Sequence, residues 1–171
     1  MEQKTYLVTG ASKGIGLELS LALSTSGLRV ILLARDTPLL EKSKDMVHSI
    51  SASSSAIVCD LADNKSIDKA IINLSNDFQK IDGIIHNAGA IAPIMPMSKA
   101  PSDAWAENIQ VNLIGVQRLT KGIYPLLQAS EHCRVTTISS GASLRPLESW
   151  SSYCVAKAGQ DVWARCLAAE G

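Results

Sequence analysis

Short apolar runs alternate along the whole chain with longer segments whose apolar positions recur at helical spacing. Residues 5–9 and 29–34 are almost continuously apolar, and 56–59, 83–86 and 134–139 repeat the pattern in shorter form. Runs of that length, rich in branched aliphatics, predict strands buried on both faces. The segments between them, 15–26, 38–50, 63–79, 102–130 and 151 to the end, predict helices. Local signals mark several ends. Gly27 closes the first helix, Pro38 stands early in a helix starting near Thr37, and Asp63 supplies a cap. Pro125 predicts a bend inside the long helix. Pro93, Pro96 and Pro101 make 90–101 a loop, and 141–149 is a second one. The serine-rich stretch 49–55 is too short and too closely flanked to be a linker.

Strands alternating with helices imply an α/β fold, a mainly parallel sheet covered on both faces. No repeat or linker divides the chain, so residues 1–171 read as a single domain. In such sheets ligands bind beyond the carboxyl ends of the strands, and that is where the chemically informative residues fall. Composition narrows the partners. With 16 basic and 16 acidic side chains the net charge is zero, which argues against a nucleic-acid or anionic-membrane surface. No apolar run approaches the ~20 residues of a membrane span, and the polar N-terminus has no signal-peptide pattern. Cys59, Cys133, Cys154 and Cys166 form no C-x-x-C pair, and only three histidines accompany them. They read as reduced thiols of a cytoplasmic protein without a metal site.

The first strand runs into Thr9-Gly10-Ala11-Ser12-Lys13-Gly14-Ile15-Gly16. Gly10 permits a tight turn, Gly14 lets backbone approach a phosphate, and Gly16 lets the helix pack close to the strand. The helix start then offers free N–H groups and a positive dipole end to a pyrophosphate. A bare glycine triplet would equally serve a structural turn; strand before and helix after is the context a dinucleotide site requires. The T-G-x-x-x-G-x-G spacing resembles the short-chain dehydrogenase/reductase family in its compact branch. That resemblance implies a Rossmann-type doubly wound parallel sheet.

Set against that family, further positions acquire expected roles. NAD-preferring members usually carry an acid at the position of Ala34. Here Arg35 follows, a guanidinium suited to a 2′-phosphate, and Lys13 is placed to reach the same group, so the resemblance implies NADP(H). Asp36 is the dissenting residue, able to bond a 2′-hydroxyl if the register slips by two. Asp60-Leu61 matches the adenine contact, although by itself Asp60 reads as a helix cap or a solvated acid. Asn87-Ala88-Gly89 matches the family's N-A-G motif beside the cofactor ribose. His86 stands where Asn is commoner and reads as a structural substitution, not a ligand or base.

Tyr153 and Lys157 form Y-x-x-x-K, an i, i+4 pair on one helical face. Val155, Ala158, Val162 and Cys166 make a separate apolar stripe. An ammonium one turn from a phenol favours the phenolate, so such a pair is suited to moving a proton near neutral pH. Ser140 precedes Tyr153 by the family's interval, with Ser139 as its runner-up and Ser143 also able to face the substrate. Asn112, in Val111-Asn112-Leu113-Ile114-Gly115, matches the family's helix asparagine. The resemblance thus implies a Ser140, Tyr153, Lys157 and Asn112 catalytic set reducing a carbonyl to an alcohol. In it Tyr153 donates the proton, Ser140 hydrogen-bonds the carbonyl oxygen, Lys157 also binds the ribose, and Asn112 holds a water linked to Lys157. Around Trp150 to Tyr153 and in loop 90–97 the chain is most similar to sepiapterin- and benzil-reductase-like members. Ala142, Ser143, Leu144, Leu147 and Trp150 suggest a mostly apolar pocket for a small carbonyl or diketone, Trp150 serving equally well as a packing residue.

Family members continue past the last residue here with a sixth strand, a Pro-Gly segment, a substrate lid and a seventh strand. The expected fold is therefore incomplete at its C-terminal side, with the fifth strand left as an apolar sheet edge. Weakened nicotinamide binding and low turnover are expected, and a nucleotide-binding or dimerising protein without catalysis is the alternative. The family's usual subunit interface, the long helix and the Tyr153 helix, implies a homodimer or homotetramer.

Overall fold

A computed structural model describes residues 3–35 and 38–170. Asp36 and Thr37, the acid able to bond a 2′-hydroxyl and the expected helix start, lie outside the described residues. Five parallel strands, β1 (Thr5–Thr9), β2 (Arg29–Ala34), β3 (Ser55–Val58), β4 (Gly83–His86) and β5 (Arg134–Thr137), form one sheet in the order β3-β2-β1-β4-β5. The order in which successive strands are added reverses between β1 and β4, although all run parallel. This is the Rossmann-type order, and its switch point opens a crevice beyond the strand ends.

Side-chain alternation sorts each strand between two cores. Leu7, Ile31, Leu33 and Ile57 point to one face, against Ile67, Ala70 and Leu74 of α3 (Asn64–Asp77) and Val116 and Leu119 of α5 (Gly115–Gly122). Val8, Val30, Leu32 and Ala34 point to the other, against α1 (Gly14–Thr25) and Leu40 and Val47 of α2 (Pro38–Ile50). Each such buried aliphatic stabilises the fold by ~1.5–3 kcal/mol relative to exposure. Burial is uneven at the β5 end. There α7 (Ser151–Glu170) contacts the strand on the first face, while Arg134 and Thr136, on the same side as Ile138, remain exposed. The outer edge of β5 pairs with no strand among the described residues.

One buried carboxylate ties the strand starts together. Asp82 accepts from the Thr5 N–H at 2.8 Å and from the Ser130 hydroxyl at 2.7 Å. Burial alone would raise its pKa, but the Thr5 N–H and the Ser130 hydroxyl outweigh it and hold the carboxyl below its usual value.

The expected single helix over 102–130 is three α-helices, with a π turn between the first two. α4 (Ser102–Ile109) passes into a π turn (Gln110–Ile114) and then α5. The chain breaks at Ile123, and α6 (Tyr124–Gln128) begins afresh with Pro125 in its first turn. A proline there lacks only an N–H that has no partner anyway, so it starts a helix and does not bend one. Other boundaries move slightly. β3 starts at Ser55 and ends before Cys59, and β5 stops at Thr137, short of Ser139. Asp63 caps α3, accepting from the Lys65 N–H at 2.9 Å.

Candidate active site

The glycine turn is built by contact with the residues after β4. A Cβ on Gly10 would lie 2.8 Å from the Ala88 Cα, and one on Gly16 would press on the Gly10 carbonyl and lie 2.5 Å from Asn87 Nδ2. Gly10 and Gly14 hold φ of 66° and 56°, which favour glycine. Thr9, fully buried, takes N–H bonds from Asn87 at 3.1 Å and Ala88 at 3.0 Å on its hydroxyl. Asn87 Nδ2 donates to the Thr9 carbonyl at 3.0 Å and the Gly10 carbonyl at 3.3 Å. Thr9 thus locks the N-A-G segment to the glycine turn, a role its place at the end of an apolar run did not disclose. Ser43 of α2 adds a brace, donating to the Ser12 carbonyl at 2.9 Å.

These residues fit a pyrophosphate. Beside Gly14 a Cβ would meet nothing within 4 Å, and Lys13, Gly14 and Ile15 are exposed. Lys13, at the N-cap of α1, makes no side-chain cap bond, so the first N–H groups of α1 carry no side-chain cap, in contrast to α3. Arg35 follows β2 and is exposed. Asp60 and Leu61 follow β3. One Asp60 oxygen accepts from the Ala62 N–H at 3.0 Å, and the buried Leu61 accepts from Gln110 Nε2 at 3.2 Å. Gly89 borders Asn112 Oδ1.

The residues expected to form the catalytic set lie beyond β4 and β5. Ser140 leaves β5 and caps a 3₁₀ turn (Gly141–Ser143), its Oγ accepting from the Ala142 N–H at 3.2 Å. That turn packs on α7, which carries Tyr153 and Lys157. Trp150 meets the Tyr153 ring edge-on, centroids 5.8 Å apart. The Lys157 ammonium is 5.9 Å from the Tyr153 ring centroid and donates to the Ile138 carbonyl at 2.7 Å and Gln160 Oε1 at 2.9 Å. Burial lowers its pKa below the ordinary lysine value, and Asp161 pushes the other way. Ser139, the runner-up to Ser140, turns its hydroxyl to Asp161 at 2.8 Å.

Asn112 is fully buried at the centre of the π turn, a distortion frequent at functional sites. Its Oδ1 accepts from the Ala90 N–H at 3.1 Å, and its Nδ2 donates to the Ala90 carbonyl at 2.7 Å and to Asn108. Both amide protons are therefore used, and its direct work is to clamp the loop after β4. Asn108, which sequence reasoning missed, holds that loop further along at the Ala90 and Ala92 carbonyls. The two loops also meet. The Met95 N–H donates to the carbonyl of Ser149, which sits at φ 67°.

His86 is buried between β4 and α5. Its Nε2 lies 2.8 Å from Thr120 Oγ1, whose own proton goes to the Val116 carbonyl, so the imidazole donates. Burial, reinforced by the Lys157 charge, lowers its pKa to about 3 and leaves it neutral.

Beside the 3₁₀ turn a groove of about 270 Å³ is lined by Ala142, Ser143, Leu144 and Val155, with Arg145 and Cys154 besides. A larger hollow of about 780 Å³ lies at the far end of β5, near Tyr124 and Cys133, and contains none of the expected site residues. Among the described residues no cluster of three metal-ligating side chains occurs, and no helix is long and apolar enough to cross a membrane.

Comparison with known proteins agrees with this fold. The family described as short chain dehydrogenase matches residues 4–171. A fatty acyl-CoA reductase of Acinetobacter baylyi is 31% identical over 168 residues, covering 98% of this chain and 57% of the relative. A benzil reductase ((S)-benzoin forming) of Bacillus cereus is 30% identical over 167 residues, covering 96% of this chain and 67% of the relative. Among solved structures, a short chain dehydrogenase from Escherichia coli CFT073 complexed with NADPH superposes with a TM-score of 0.92 at 26% identity, over 99% of this chain and 72% of that one. An NAD+-bound xylitol dehydrogenase superposes at 0.90 with 26% identity, over 98% and 64%. The chain thus spans little more than half to about two thirds of these curated relatives.

Proposed function

The chain belongs to the short chain dehydrogenase family, and from that premise we propose that it reduces a ketone, aldehyde or diketone to an alcohol with NADPH. The observation that carries this reading is the buried Lys157 ammonium, fixed at the end of β5 one helical turn from Tyr153. Gly10, Ser12, Lys13, Gly14, Ile15 and Gly16 would hold the pyrophosphate, Arg35 with Lys13 the 2′-phosphate, and Asp60 and Leu61 the adenine. Asn87, Ala88 and Gly89 would border the ribose that Tyr153 and Lys157 bind. The reduced nicotinamide, when bound, supplies the hydride.

The chain's own residues manage the oxygen and the proton. Tyr153 gives its phenolic proton to the carbonyl oxygen. Ser140 is suited to donate to the same oxygen, because its Oγ already accepts from Ala142 and its hydroxyl proton remains free. One such donor is worth ~3 kcal/mol of barrier. Lys157 stabilises negative charge on Tyr153, and Asn112 anchors the loop against which substrate and cofactor would lie, with one Oδ1 lone pair left for a water. The apolar groove beside Ala142 and Leu144 suits an apolar carbonyl substituent. The test is substrate-dependent NADPH oxidation across a panel of ketones, aldehydes and diketones. Oxidation as fast in Tyr153→Phe as in the unsubstituted chain overturns the reading.

A second reading is supported by the edge of β5, which pairs with no strand among the described residues, and by its half-covered face: a nucleotide-binding, dimerising protein with impaired catalysis. Exposed Ile114, Val155 and Val162 supply an apolar surface for a homodimer or homotetramer. Light scattering tests the assembly. A rise in unfolding temperature with NADPH, without turnover of any carbonyl, would favour this second reading over the first.

A further inference from the structure

The Lys157 ammonium has an anchor that the sequence did not announce. Gln160 is fully buried, three residues further along α7, and its Oε1 takes the Lys157 proton at 2.9 Å. An ammonium only donates, so the amide oxygen must face it. The amide nitrogen is then left buried without a hydrogen-bond partner among the described residues. The bond to Lys157 is the one hydrogen bond of this buried side chain among the described residues. With the Ile138 carbonyl taking a second proton at 2.7 Å, one N–H remains on an ammonium that lies 5.9 Å from the Tyr153 ring centroid.

We propose that Gln160 is a positioning residue for the Tyr153–Lys157 pair: its neutral amide oxygen tethers the charged ammonium at the end of β5. Neutrality matters. A carboxylate here would pair with the ammonium and screen it from the phenolate, whereas an amide holds it without cancelling its charge. Among the described residues the charged and titratable groups beside this point are Tyr153 and Asp161 on α7 and His86 on β4, which is held neutral. Just after β5 the Ile138 carbonyl faces it, while the amides of Asn108 and Asn112 on the neighbouring α4 and π turn bond the loop after β4 instead.

The catalytic meaning of the tether rests on the reductase reading, but the tether itself does not need turnover to be measured. The experiment is a pH titration of the full chain labelled with ¹³C-lysine, without nucleotide, following the Cε resonance assigned by its loss in Lys157→Arg. Removing the acceptor in Gln160→Met should move the Lys157 midpoint down, and Gln160→Glu should move it up. The alkaline limb of turnover should move with it. A midpoint unmoved in Gln160→Met, or shifted in the same direction by both substitutions, overturns the proposal. If Gln160→Glu does not fold, Gln160→Met decides alone. Opposite shifts in a chain that oxidises NADPH with no carbonyl uphold the tether and sink the reductase reading. Unmoved midpoints in an active enzyme do the reverse.

Discussion

The two halves of the sheet solve different problems by different means. The half formed by β1, β2 and β3 prepares a place for a nucleotide chiefly by leaving things out: no Cβ at Gly10, Gly14 or Gly16 and no side-chain cap at the start of α1. The half formed by β4, β5 and α7 frames the proposed reaction centre by burying polar groups on specific partners, as with Lys157 on Ile138, Asn112 on Ala90 and His86 on Thr120. The first half should therefore fail sterically and the second electrostatically.

The largest effect separates the halves most cleanly. Tyr153→Phe should cut carbonyl-dependent NADPH oxidation by ~10²–10⁴-fold, the range for a lost general acid, while leaving the NADPH-induced rise in unfolding temperature in place. Gly16→Ala should do the opposite kind of damage. Its methyl would meet the Gly10 carbonyl and the Asn87 amide, neither of which can yield without moving the turn. Overpacking of this sort costs ~1–3 kcal/mol. Denaturant unfolding should show that loss, and the NADPH shift should vanish even at temperatures where the variant is folded. Retention of the shift would mean that the close approach of α1 to β1 is not what shapes the phosphate site.

The reaction half also has a pH signature. The His86 pKa falls from an ordinary 6.5 to about 3 on folding, so its contribution to stability is complete above pH 6.5 and is lost as pH falls toward 3. Within that window the unfolded chain binds one more proton than the folded one, a slope of ~1.4 kcal/mol per pH unit from this group. His86→Asn should flatten the acid limb of the stability curve measured by denaturant unfolding between pH 7 and 4. An acid limb as steep as in the unsubstituted chain would mean that His86 does not control it.

The same division explains what could be read in the sequence. Glycine spacing, strand lengths, the Asp63 cap and the i, i+4 pair of Tyr153 and Lys157 are local, and each corresponds to a local feature of the structure. The partners of buried polar groups are not local. Thr9 looked like the end of an apolar strand, yet its hydroxyl receives two N–H groups from residues nearly eighty positions later. Asn108 and Gln160 sit in ordinary helical segments, and only the packing of α4 and α7 shows what they hold. Pro125 misled because proline has two helical meanings, bend or first turn, and the choice depended on Ile123 ending the preceding helix. The π turn at Asn112 has no simple residue signal. It inserts one residue to aim a buried amide at Ala90, a demand set by tertiary structure.

The smallest expected effect tests the one place where the nucleotide half relies on charge. Arg35 is exposed at the end of β2, where the ribose of a dinucleotide would end, and Lys13 stands exposed in the neighbouring turn. A guanidinium favours a phosphate there, and a carboxylate would repel the phosphate but bond a hydroxyl. Arg35→Asp should therefore reverse the ratio of Kd values for NADPH and NADH by on the order of tenfold, the effect of losing one partly solvated charge-assisted contact. Because the interaction is exposed, the preference of the unsubstituted chain should also weaken as salt is raised. Structurally similar proteins include one complexed with NADPH and one with NAD+ bound, so the fold alone does not fix the choice of cofactor. If Arg35→Asp leaves the ratio unchanged while Lys13→Ala shifts it, the 2′-phosphate is read from the glycine turn alone. If neither shifts it, the nucleotide half is wholly a matter of shape, and its contrast with the reaction half is sharper still.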